Sequence, residues 1–134
     1  MSTNNFKLIA VGDDGVGKST LLSVLNDCPF QSTMPIIVEK YIKKGLHKGD
    51  LYILNIWDSA CKEEYDTLRL PAYIGVDVVL ICFSLVSRES FLNVEKKWFH
   101  EVKKFCKDPI IILIGTKQDL RQEGNTDHIS DDEI

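Results

Sequence analysis

The stretch Gly12-Asp13-Asp14-Gly15-Val16-Gly17-Lys18-Ser19-Thr20 constrains this chain more than any other part of it. It has the spacing G-x-x-x-x-G-K-[ST]. It lies between an apolar run, Phe6 to Val11, and a segment from Lys18 to Asp27 whose leucines at 21, 22 and 25 recur with helical spacing. Strand, glycine-rich turn and helix in that order make a phosphate loop. The glycines let successive backbone N–H groups curl around phosphate oxygens, and the helix N-terminus adds partial positive charge. Lys18 supplies a point charge and Ser19 a hydroxyl suited to Mg²⁺. Gly12, Asp13, Asp14, Gly15, Val16, Gly17, Lys18, Ser19 and Thr20 are therefore candidate nucleotide-binding residues. The competing reading is a plain strand-to-helix turn, and the loop by itself does not name a base.

The rest of the chain alternates in the same way. Residues 36–44 and 51–57 read as two strands joined through Lys48-Gly49-Asp50, a connection short enough for an antiparallel hairpin. Another strand spans 77–83. From Glu89 to Cys106, Phe91, Val94, Trp98, Val102 and Phe105 recur every three or four positions among charged residues, which predicts an amphipathic helix with an aromatic core face. After Pro109, the run Ile110 to Gly115 suits a strand covered on both faces. The expected fold is α/β, with a mostly parallel sheet and one hairpin.

At 134 residues, 44% hydrophobic and 27% charged, the chain fits one globular domain over 1–134. A net charge of −4 excludes a protein that finds nucleic acid by bulk attraction. The four cysteines, Cys28, Cys61, Cys82 and Cys106, lack metal-ligand spacing and read as reduced thiols, with Cys82 inside a buried strand. The opening Met1 to Asn5 carries no signal-peptide or myristoylation pattern, so a cytoplasmic location is expected. Near the end, Ser130-Asp131-Asp132-Glu133 matches the S-x-x-E box that starts a helix, yet the sequence stops at Ile134.

Thr116-Lys117-Gln118-Asp119 follows the last predicted strand, and Trp57-Asp58 ends an earlier one, at the strand ends where open α/β sheets bind ligands. With the phosphate loop, these segments make the chain resemble a Ras-superfamily small GTP-binding protein of the Rho/Rac branch. The likeness is carried also by YDTLRLPAY (65–73), DVVLICFSLVS (77–87), FLNVEKKW (91–98) and PIIILIGTKQDL (109–120), and covers nearly the whole chain. It implies the P-loop fold of the small G proteins, here C-terminally truncated and lacking the final strand and helices. It implies GTP or GDP with Mg²⁺ as cofactors. Guanine would be read by Asp119, Lys117 would pack against it beside Thr116, and Phe30 would stack on it. The metal would be held through Ser19 and, by way of water, Asp58.

Four positions depart from the pattern, and all surround the third phosphate. Asp14 replaces a loop glycine, whereas Asp13 is ordinary for the Rho branch. Ile36 stands where the resemblance implies a Mg²⁺-ligating threonine, unless the segment is offset and Thr33 serves. Cys61 and Lys62 replace the glycine of D-x-x-G and the glutamine that orients water. A negative charge about 4 Å from the phosphates costs about 4 kcal/mol at an effective dielectric near 20, before screening. GTP hydrolysis is therefore expected to be absent or very slow. Two alternatives stay open: an active GTPase in which Lys62 stabilises transition-state charge, and a scaffold that binds no nucleotide. Effector and regulator proteins are expected at 31–42, including Glu39 and Tyr41, and at 61–73, with no nucleic-acid partner and no lipid anchor in this chain.

Overall fold

The computed structural model describes residues 3–25, 38–59 and 70–134. Five strands form one sheet in the order β2-β3-β1-β4-β5. They are β1 (Thr3–Gly12), β2 (Val38–His47), β3 (Asp50–Ser59), β4 (Val78–Ser84) and β5 (Ile110–Thr116). The β2/β3 pair is antiparallel and the other three pairings are parallel, as the sequence predicts. The hairpin closes through Lys48 (φ 50°) and Gly49 (φ 83°), two residues of positive φ whose twist matches that of the flanking strands. Strand β1 begins three residues before the expected Phe6. Its extra residues, Thr3 to Asn5, pair with Leu51 to Ile53 of β3.

Helix α1 (Lys18–Leu25) follows the phosphate loop; the predicted continuation to Asp27 lies outside the described residues. The second helical stretch is α2 (Arg88–Asn93), a π-helical turn (Val94–Trp98) and α3 (Phe99–Phe105) in unbroken succession. Ser87 caps it, its hydroxyl accepting from the Ser90 N–H at 3.3 Å.

Alternation along the central strands sends side chains to two cores. Ile9, Val11, Val79 and Ile81 pack with Tyr73, Trp98 and Val102 on the α2–α3 face, while Leu8, Ala10, Leu80 and Cys82 pack with Val16, Leu22 and Ile56 on the α1 face. A smaller cluster joins Phe83 and Leu85 to Ile129, whose N–H donates to the Leu85 carbonyl at 2.8 Å.

One expectation is corrected. Phe105, placed on the helix core face by its spacing, is 39% exposed and stacks on Tyr73 at 6.3 Å between ring centroids. The π turn before it shifts the register, so the end of a stripe read at 3.6 residues per turn drifts off the core. The β-branched run of β5, whose composition suits a strand covered on both faces, leaves Ile110 62% and Ile112 46% exposed. Residues 121–129 form turns rather than a helix, and Asp131–Glu133 makes a 3-10 turn in which the Ser130 N–H donates to Glu133 Oε2 at 2.9 Å.

Candidate functional site

Parallel pairing brings the carboxyl ends of four strands to one edge of the sheet. Asp58 of β3 lies beside Ala10 of β1, Gly12 of β1 beside Cys82 of β4, and Ser84 of β4 beside Thr116 of β5. The loop from Asp13 to Gly17 crosses this edge, with Gly17 at φ 93°, a conformation that side-chain-bearing residues rarely adopt. A groove of about 330 Å³ opens there, lined by Asp13 to Lys18, Thr20 and Lys117.

At its floor the Lys18 ammonium donates to Asp58 Oδ1 at 2.8 Å, with both residues about 95% buried (5% and 6% exposed). An ion pair so shielded is stable only as a pair, because either charge alone would be left desolvated. Cys82 lies close behind it. Burial pushes its thiol up to about 11, the Lys18 charge pulling it down and the Asp58 charge pushing it further up.

The end of β5 braces the loop from the other side. The Thr116 hydroxyl contacts the carbonyls of Val16 and of Phe83, the latter at 3.1 Å, and its one proton serves them in turn. Lys117, in the left-handed region at φ 62°, donates from Nζ to the Gly15 carbonyl at 2.8 Å. Asp119 is exposed on the 3-10 turn Gln118–Leu120, just beyond.

Asp13, a candidate nucleotide-binding residue, does line the groove. Its carboxylate faces the helix, accepting from Asn93 Nδ2 at 2.6 Å and from Trp98 Nε1 at 2.8 Å. Asn93 and Trp98 escaped the sequence reading, although a buried tryptophan needs an acceptor for its indole N–H, and that need was a usable signal. Asp14 is exposed and lines the groove. Ser19 stands in the first turn of α1, its side chain outside the description. Phe30, Thr33, Ile36, Cys61 and Lys62 lie outside the described residues, as do 31–37 and 61–69 of the expected partner surfaces. Of those surfaces, Val38 to Ile42 run along β2, where Glu39 pairs with Asp58, and Leu70–Tyr73 form a 3-10 turn.

A glycine-rich loop between a strand and a helix N-terminus, closed at its floor by a lysine and at its rim by a second strand end, defines the mononucleotide-binding class of α/β proteins. Comparison with known protein families matches residues 7–133 to the Ras family. The human Rho-related GTP-binding protein RhoD is 42% identical over 118 residues, which are 87% of this chain and 56% of that protein. The chain belongs to the Ras family and is a Rho-like small GTPase by descent. It spans little more than half the length of that relative.

Proposed function

We propose that this chain binds GDP and GTP with Mg²⁺ and hydrolyses GTP very slowly or not at all. The observation that carries the reading is the shielded Lys18–Asp58 pair, 2.8 Å apart, beneath a groove rimmed by Lys117. In that arrangement Lys18 and the amides at the start of α1 take the phosphates, and Lys117 with Asp119 takes the base. The human relative is GTP-binding by its name, and the proposal extends that property to this chain.

The donors suit a hard cation. Asp58 offers carboxylate oxygen beside the Lys18 ammonium, and Ser19 stands one residue after Lys18. Among the described residues no three or more His, Cys, Asp or Glu side chains gather into a metal cage, so a Mg²⁺ ion here would take its remaining oxygens from phosphate and water. When bound, the ion neutralises phosphate charge; Asp58 and Ser19 orient it.

Impaired hydrolysis is read from residue chemistry. Asp14 brings a carboxylate to the groove. Lys62 lacks the paired donor and acceptor with which a glutamine orients water, and Ile36 and Cys61 remove contacts to the third phosphate. With fewer contacts that distinguish triphosphate from diphosphate, the conformational response to nucleotide is small. Effectors and regulators belong in this proposal at 31–42 and 61–73.

Titration with fluorescently labelled GDP and single-turnover GTP hydrolysis test it. Binding that needs Mg²⁺, with hydrolysis well below the order of 10⁻⁴ s⁻¹ of intact relatives, is the expected result. Replacing Asp14 by Gly together with Lys62 by Gln should bring hydrolysis up to that order. A drop in hydrolysis in that double variant would instead assign Lys62 a catalytic role.

A further inference from the structure

Asp13 lines the groove proposed for phosphate, where a negative charge is unfavourable, and the chain ties its carboxylate to the helix with two good hydrogen bonds. Both donors come from one helical stretch, five residues apart. In an α-helix, positions i and i+5 point about 140° apart and could not both reach one carboxylate. Between Val94 and Trp98, however, the stretch is π-helical, with the Phe99 N–H donating to the Val94 carbonyl, and i and i+5 return to nearly one face. The irregular turn is what delivers Asn93 and Trp98 to Asp13 together. Trp98 is fully buried in the core, so the carboxylate is tied to one of the most fixed groups in the molecule.

The consequence for the loop follows from where its anchors fall. Asp13 is held by the helix, and the carbonyls of Gly15 and Val16 are held by Lys117 and Thr116. Fixing the first residue after β1 sets the direction in which the chain leaves the strand. The other two anchors act on carbonyls of the loop, not on its N–H groups. We infer that Asp13 is a positioning residue: through Asn93 and Trp98 it holds the phosphate loop pre-shaped for a polyphosphate, and its own carboxylate does not touch the ligand. Pre-shaping raises affinity by removing the ordering cost from the binding step.

The inference rests on the reading that this loop binds a guanine nucleotide, and its test separates the two. The release rate of labelled GDP in Mg²⁺ is measured on the full chain for Asp13→Ala, Asp13→Asn and Trp98→Phe. Asp13→Ala removes both charge-assisted bonds and should speed release about tenfold, and Trp98→Phe, which removes one donor, about threefold. Asp13→Asn keeps an oxygen for the indole and can pair with a flipped Asn93 amide, so it should recover most of the loss. If Ala and Asn both slow release, the carboxylate acts as a repulsive charge on the phosphates and the inference is wrong. Lower thermal stability with unchanged release in Asp13→Ala would also overturn it. If the unaltered chain binds no guanine nucleotide, the functional reading fails, and the positioning role is judged by hydrogen exchange of amides 14–18. Faster exchange in Asp13→Ala than in Asp13→Asn supports it, and equal exchange overturns it.

Discussion

Lys18 and Asp58 form a buried pair on which both stability and the proposed binding depend. Removing one partner from a buried pair leaves an uncompensated charge, a loss of about 3–5 kcal/mol, whereas replacing both by apolar groups is often neutral. Lys18→Met should therefore lower unfolding stability by about that amount in urea titrations, and Lys18→Met combined with Asp58→Leu should return to within about 1 kcal/mol of the parent. Neither variant should retain labelled GDP. A single variant as stable as the parent would mean that water or another group already compensates these charges. Cys82, behind the pair, gives a pH test. Its folded-state thiol titrates near 11 against an ordinary value of 9.0, so the folded state favours the protonated form. That contribution is complete below pH 9 and is lost as pH rises through 9 towards 11, reaching about 2 kcal/mol at pH 11. Unfolding measured at pH 8 and pH 11 should show this extra loss in the parent and not in Cys82→Ala.

At the scale of elements, the phosphate loop depends on how closely β1 and β4 approach. A Cβ at Gly12, whose φ is 153°, would lie 2.3 Å from the Cys82 carbonyl oxygen. Gly12→Ala should destabilise the chain by roughly 3 kcal/mol, read as a lower urea midpoint, because neither backbone can yield without opening the central pairing. An unchanged midpoint would show that the two strands separate at little cost. Elements of this kind were legible in the sequence because period and punctuation agree there. The run before Gly12, the Lys48-Gly49 turn and the β-branched stretch after Pro109 each carry their own local signal. The π turn carried none: Phe91 to Phe105 satisfies an α-helical template, and the wider turn goes with contacts of Asn93 and Trp98 to the distant Asp13 carboxylate. The Lys18–Asp58 pair was equally hidden, since it needs both the β1/β3 register that sets Asp58 beside Ala10 and the loop that brings Lys18 at the start of α1 back over it. The sequence names both residues as site residues without saying that they meet.

For the molecule as a whole, two cores on either face of one sheet hold the carboxyl ends of β1, β3, β4 and β5 level, and every described site residue lies on or just beyond that edge. With a net charge of −4 the bulk field does not draw in a nucleotide, so the proposed binding has to rely on the local positive charge of Lys18, Lys117 and the start of α1. The anomalous residues, Asp14 in the groove with Ile36, Cys61 and Lys62 in the sequence, are the ones from which the proposed function separates recognition from turnover. Extraction of the purified protein with denaturant, followed by chromatography of the released small molecules, tests this directly. The account expects guanine nucleotide close to one per chain, with GTP prominent because it is not consumed. A chain that releases no nucleotide, or an adenine nucleotide, would contradict it.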